Sequence, residues 1–282
     1  MIAGTTRRAP CPKCDRGPRD TALSVTVDER GEVMFCHRCG YTEARNDRQF
    51  LTDRDRSAVS MFHERREPAL QKGLSDYGIK LFHDTLPITP GTIAADYLLA
   101  RKLAIPPSDA DLRWHPNLRH PIDGFSGPAL VARVSDARTG AALTLHRTWI
   151  EPDGTKRGSM PRMLLGGHRK QGGAIRLWPD ESVTTELAIA EGIETALAAA
   201  HLVTPVWSLV DAGNMAQFPV LPGIRALIVY ADNDKPGLTA AQACAKHWRA
   251  AGRNVRVFAP EQPDADMADL AASGELRATV TA

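Results

Sequence analysis

Ala226-Leu227-Ile228-Val229-Tyr230-Ala231-Asp232-Asn233-Asp234-Lys235-Pro236-Gly237 is the stretch whose reading decides the fold. Five apolar residues in succession fit a buried strand, and the strand ends on two aspartates one residue apart. A helix is expected from about Leu238 to Ala251, stopped by Gly252. Upstream, Leu187 to Ala190 is a second short apolar strand that ends at Glu191-Gly192, and a helix follows from Ile193 through Ala200. Val206 to Val210 and Asn254 to Phe258 read as two further strands. Strands alternating with helices predict a parallel sheet covered on both faces. Ligands of such sheets bind at the carboxyl ends of the strands, which is where Glu191, Asp232 and Asp234 fall.

A third acidic segment, Asp264-Ala265-Asp266-Met267-Ala268-Asp269, follows the last strand. Taken singly, an Asp-x-Asp at a strand end is as often a turn or a helix cap as a functional motif. Three such segments in order are more specific. Carboxylates gathered together repel one another, and a divalent cation bound between them offsets that repulsion. Hard oxygen ligands suit Mg²⁺ or Mn²⁺, ions that bridge phosphates and stabilise a leaving oxygen.

Four of the five cysteines form two pairs, Cys11-x-x-Cys14 and Cys36-x-x-Cys39. Each pair fits a tight knuckle, and two knuckles supply a tetrahedral thiolate set for a structural Zn²⁺. Between them, Ala22 to Val27 and Glu32 to Phe35 read as strands joined by a turn at Asp28-Glu29-Arg30-Gly31, the layout of a zinc ribbon. His37 is read as a surface contact rather than a ligand, and Cys244 as a small core residue. Arg7, Arg8, Arg16, Arg19 and Arg38 surround the knuckles and suggest contact with nucleic acid, with protein contact as the alternative.

Length, 282 residues, fits two domains as a prior. Without a long apolar run or a signal-peptide pattern, neither a membrane span nor secretion is expected, and a cytoplasmic location (a bacterial or phage-infected cell) is. The net charge of +2, from 35 basic and 33 acidic side chains, conceals an asymmetry: residues 1–72 carry +3, 73–180 carry +4 and 181–282 carry −5. The densest basic stretch, Arg147 to Arg176, reads either as a solvated loop or as a phosphate-tracking surface. Residues 73–125 look mainly helical, with Thr89-Pro90-Gly91 opening a helix, and Ala129 to Val134 and Ala142 to Ile150 read as strands joined by a turn at Asp136 to Gly140.

At this point the chain resembles a known family. Glu191-Gly192-Ile193-Glu194-Thr195-Ala196 is similar to the glutamate motif of TOPRIM domains, which occur in topoisomerases and DnaG-type primases. Asp232-Asn233-Asp234-Lys235-Pro236-Gly237 resembles their Asp-x-Asp-x-x-Gly motif. Asp266 and Asp269 resemble the closing acidic motif of phage and plasmid primases, although Ala265 stands where many relatives have a basic residue. Residues 142–176 are similar to the segment that precedes TOPRIM in phage-type proteins, so the resemblance spans essentially the whole chain.

The resemblance implies an α/β chain in four parts: a zinc ribbon (1–45), a charged linker (46–72), a basic α+β segment (73–180) and a Rossmann-like TOPRIM domain with a parallel-type sheet flanked by helices (181–282). It implies a DNA primase that makes short RNA primers on single-stranded DNA from nucleoside triphosphates. Glu191 would be a metal ligand or general base, Asp232 and Asp234 would hold Mg²⁺ or Mn²⁺, and Asp266 with Asp269 would complete the site. Glu194 points along the following helix. Arg147, Arg162, Arg169, Lys170, Lys235 and Arg38 would contact template or triphosphate, and Tyr41, Trp149 and Trp178 could stack bases or be buried. With no Gly-x-x-x-x-Gly-Lys-[Ser/Thr] phosphate loop, a separate helicase would do any unwinding. The alternatives are a TOPRIM nuclease and a non-catalytic zinc-containing DNA-binding mediator.

Overall fold

The computed structural model describes residues 5–14, 17, 20–28, 31–36, 41–45, 73–276 and 279–280. The chain divides into two units, Met1–Glu67 and Pro68–Ala282. The expected tether at 46–72, together with Cys39, His37, Arg38, Arg16 and Arg19, lies outside the described residues.

The first unit is an antiparallel sheet of β1 (Thr5–Ala9), β2 (Leu23–Asp28), β3 (Gly31–Cys36) and β4 (Thr42–Arg45), in that order. The β2–β3 hairpin pairs Val27 with Glu32 and Asp28 with Gly31, at the turn read from the sequence. The outer strands escape a sequence reading because Thr-Thr-Arg-Arg-Ala and Thr-Glu-Ala-Arg carry no apolar alternation. Among the described residues its buried core is Leu23, Val25 and Met34 with Cys11 and Cys36.

The second unit begins with α1 (Asp76–His83) and α2 (Ile93–Ala100). An antiparallel sheet follows, in the order β5 (Leu112–Arg119), β6 (Ser126–Asp136), β7 (Ala142–Trp149), β8 (Arg162–Leu164), with β9 (Gly173–Ala174) paired to β6. The expectation that 73–125 is mainly helical is corrected by β5. Its Pro116 and polar residues hide the pattern, and the pairing shifts register between His115 and Leu118. Thr89-Pro90-Gly91 does not open α2: Thr92 caps it, its Oγ1 accepting the Ala95 amide at 3.2 Å. At the β6–β7 turn, Asp136 Oδ1 accepts the Arg138 and Thr139 amides at 3.0 Å each, and Gly140 takes φ 72°.

The remaining elements are β10 (Glu186–Ala190), α3 (Ile193–Ala199), β11 (Val206–Ser208), α4 (Ala212–Ala216), β12 (Ala226–Tyr230), α5 (Lys235–Ala250), β13 (Asn254–Ala259), α6 (Met267–Ser273) and β14 (Thr279–Val280). They form a sheet of order β11-β10-β12-β13-β14, parallel except for β14. Both faces are buried, as the unbroken apolar runs required. Ala188, Ala190, Ile228 and Tyr230 face one core with α3 and α6, whereas Leu187, Ile189, Leu227 and Val229 face the other with α5. The first of these cores also takes in Tyr97, Leu98, Ile150, Ile175 and Leu177, so the two sheets share apolar packing. That sharing brings the basic segment to the acidic strand ends. Among the described residues no helix is long and apolar enough to cross a membrane.

Candidate functional site

Parallel pairing of β10 with β12 sets Ala190 opposite Tyr230, so the residues just beyond, Glu191 and Asp232, emerge side by side. Asp266, the N-cap of α6, joins them. All three line one pocket of about 180 Å³, together with His146, Thr148, Arg162, Glu194 and Thr195. Burial pushes the Asp232 carboxyl up to about 7, aided by the charges of Glu191, Asp266 and Asp234. Thr195 Oγ1, 3.5 Å from Asp232 Oδ1, opposes that shift. Burial also raises Asp266, partly offset by the Asp269 and Ala268 amides.

Two residues of the Asp-x-Asp-x-x-Gly stretch build this geometry. Asn233 ties the Asp232 loop to the Asp266 loop: its amide donates to Ala265 O at 2.8 Å, its carbonyl accepts the Asp264 amide at 2.8 Å, and its side chain donates to Gln262 O at 2.9 Å. Gly237 lies so close that a Cβ there would sit 2.6 Å from Asp232 O. Only glycine permits that approach.

The other two acids are turned to backbone work. Asp234 caps α5, accepting the Gly237 amide at 2.7 Å, which is why that helix starts at Lys235 rather than Leu238. Asp269 accepts the Asp266 amide at 3.0 Å, while Asp266 Oδ1 accepts the amides of Ala268 and Asp269 at 2.6 and 3.0 Å, a reciprocal capping box. The pocket lining includes Glu191, Asp232 and Asp266, the last of these itself a cap, while Asp234 lies near enough for its charge to help raise Asp232. The lining set offers three hard oxygen donors of the kind divalent cations take, one of them holding its proton to near neutral pH because it is buried among like charges.

Glu194 does not simply run along its helix. Its carboxylate accepts from Tyr97 Oη at 2.5 Å, Arg101 Nη2 at 3.2 Å, Lys156 Nζ at 2.8 Å and Arg162 Nη2 at 2.9 Å. Burial works to raise its pKa, but Arg162, Lys156 and Tyr97 outweigh that and hold it low. Tyr97 is pushed upward by burial and by this carboxylate.

The basic residues expected to meet phosphate are placed unevenly. Arg162 is half exposed at the pocket. Arg169 pairs with Asp136 at 3.1 Å and Lys170 with Asp211 at 2.5 Å, both partly exposed. Lys235 is exposed in the first turn of α5. Arg147 is buried, 6% exposed; its Nη2 donates to Leu164 O and its guanidinium lies over the Trp149 ring. Strand alternation explains this: Leu145, Arg147 and Trp149 share the inward face of β7, which leaves His146 and Thr148 on the pocket side. Burial, then Arg162, lowers the His146 pKa to about 4, so its imidazole is neutral. Trp149 is fully buried, with Nε1 donating to Leu118 O, and Trp178 packs against the core. Tyr41 is half-buried beneath Lys13 and bonds Glu43.

In the first unit the sulfurs of Cys11, Cys14 and Cys36 lie within 4.8 Å of one another, and Cys14 Sγ is 3.7 Å from Cys36 Sγ. A tetrahedral Zn²⁺ with bonds of about 2.3 Å sets its sulfurs about 3.8 Å apart, so the cluster fits zinc. Among the described residues no three carboxylates gather that closely.

Comparison with known proteins divides the second unit in two. Residues 73–177 match a family described as a domain of unknown function, and residues 186–275 match the Toprim domain. No curated protein matches the chain. The chain is similar to the primase fragment of the bacteriophage T7 primase-helicase protein, at 16% identity over 95% of each chain with a TM-score of 0.41. It is similar to the zinc-binding and RNA polymerase domains of the Aquifex aeolicus primase, at 14% identity over 98% of this chain and 77% of that one, TM-score 0.44. A DNA primase domain from Pseudomonas aeruginosa aligns at 11% identity over 80% and 70%, TM-score 0.37. The family match, the strand order and the acids at the strand ends agree: the chain carries a Toprim domain at residues 186–275.

Proposed function

We propose that this protein is a DNA primase, a nucleotidyltransferase that joins ribonucleotides on a single-stranded DNA template. The observation that carries the reading is the convergence of Glu191, Asp232 and Asp266 in one pocket of the Toprim domain, with Arg162 on its rim. Glu191, Asp232 and Asp266 would hold Mg²⁺ or Mn²⁺, which when bound neutralises phosphate charge and stabilises a departing pyrophosphate. Asp232, buried and crowded by like charges, would be favoured in its charged form by a bound cation. If it is not a metal ligand, Glu191 would instead serve as the general base for an attacking 3′-hydroxyl. Arg162, with Lys156 behind it, would orient the triphosphate. Arg169, Lys170 and Lys235 remain template candidates, whereas buried Arg147 supports the sheet. The cysteine cluster would hold a structural Zn²⁺ that orders the ribbon for template contact.

The test is to incubate the protein with single-stranded DNA of varied sequence, labelled nucleoside triphosphates and Mg²⁺ or Mn²⁺. Short oligonucleotides made without a primer, and lost in Asp232→Ala, support the reading. Shortened template would indicate a nuclease, and DNA binding with neither product a non-catalytic mediator.

A further inference from the structure

Two charge clusters of opposite sign meet at this pocket. On one side stand Glu191, Asp232 and Asp266; on the other, Arg162 with Lys156 and Arg101 behind it. Left to themselves, long cationic side chains beside carboxylates pair with them, and each such pair would remove a cation ligand and a phosphate contact together. In this protein they pair instead with a fourth acid. Three cations share one oxygen, Oε2 of Glu194, and Tyr97 takes Oε1. The Glu194 side chain is only 13% exposed, against 17% for Lys156, 32% for Arg101 and 54% for Arg162. The partners come from α2 and its C-cap Arg101, the loop after β7, and β8, whereas Glu194 sits in the first turn of α3, three residues after Glu191. Glu194 also makes itself felt at Asp266, whose carboxyl it helps to raise. Three cations on one carboxylate leave two positive charges for an anion to meet.

We propose that Glu194 is a positioning residue: its carboxylate gathers Arg101, Lys156 and Arg162 into a fixed cluster that receives the phosphates of the substrate and keeps those cations off the acids that bind metal. The inference rests on the reading of the pocket as a metal-dependent phosphoryl-handling site. It assigns Arg101 and Lys156, which the sequence motifs do not mark, to the phosphate side.

The two explanations of a Glu194 effect differ in sign. If Glu194 matters only through its charge, Glu194→Gln makes the pocket more positive, weakening Mn²⁺ and tightening pyrophosphate. If it positions the cations, releasing them onto Glu191, Asp232 and Asp266 weakens both ligands. The experiment is Mn²⁺ titration by electron paramagnetic resonance and pyrophosphate titration by calorimetry, on the full chain with the fold checked by circular dichroism. The expected result for Glu194→Gln is a loss of roughly tenfold or more in both affinities. In Glu194→Gln/Arg162→Gln, Mn²⁺ affinity recovers and pyrophosphate affinity does not. Tighter or unchanged pyrophosphate binding by folded Glu194→Gln overturns the proposal while leaving the pocket's function standing. Wild-type protein that binds neither Mn²⁺ nor pyrophosphate overturns both. Should Glu194→Gln fail to fold, Arg162→Gln supplies the second arm: pyrophosphate binding weakens with Mn²⁺ binding kept or tightened, and unchanged pyrophosphate binding refutes the assignment.

Discussion

Gly237→Ala is the sharpest probe of how the acidic site is built. The added methyl would lie 2.6 Å from Asp232 O, 3.2 Å from Asp232 Cβ and 3.1 Å from Asp234 Oδ1, where ordinary contact begins at 3.4 Å. The nearest obstacle is backbone, so relief means moving the Asp232 peptide by about 0.8 Å, a displacement of the order that costs roughly a hundredfold when it misplaces a reacting group. Overpacking costs about 1–3 kcal/mol, against which alanine's better helix propensity returns at most about 1 kcal/mol. The variant should therefore melt about 2–4 °C below wild type and bind Mn²⁺ at least tenfold more weakly. Differential scanning calorimetry and a Mn²⁺ titration on the same preparation measure both. A raised melting temperature with unchanged Mn²⁺ affinity is what helix propensity alone would give, and it would refute the reasoning.

Three further outcomes follow from the charges and the cysteines. Asp232 is raised from 3.8 to about 7, so the native state holds its proton longer than the unfolded chain and stability is lost as pH rises through that window. Without added divalent cation, Asp232→Asn should be more stable than wild type at pH 8, by about 1–2 kcal/mol after discounting for partial solvation, with the gap closing toward pH 4 in urea denaturation. Glu194 shifts the other way: its folded pKa is lowered, so its contribution is complete above 4.5 and fades as pH falls further. Glu194→Gln should lose about 3 kcal/mol at neutral pH, and less in acid, by the same assay. For the ribbon, mass spectrometry should find one zinc per chain, and Cys36→Ser or chelation should collapse the amide spectrum of residues 5–45 while that of residues 73–276 persists.

How much of this was legible in the sequence depended on how local the cause is. The strand Ala226 to Tyr230 was legible because a doubly buried strand is apolar throughout. The β2–β3 hairpin and the gathering of Cys11, Cys14 and Cys36 were legible for similarly local reasons. Strand β5 was not, since its proline and register shift break the alternation. The basic stretch misled at Arg147, where charge suggests surface but the period of β7 turns the side chain inward beside Leu145 and Trp149. The same period carried the missed signal for His146 and Thr148. Asp269 looks like Asp266 in sequence, both fold the loop through one capping box, and only the lining of the pocket separates them. The partners of Glu194 lie 32 to 97 residues away, and no local pattern announces them.

Mn²⁺ binding at pH 7.5 by wild type, Asp232→Asn and Asp269→Asn is the most direct test of the acidic site. Wild type should bind, Asp232→Asn should lose at least tenfold in affinity and Asp269→Asn should bind as wild type does. Equal binding by wild type and Asp232→Asn, or loss in Asp269→Asn without loss of fold, would contradict the assignment.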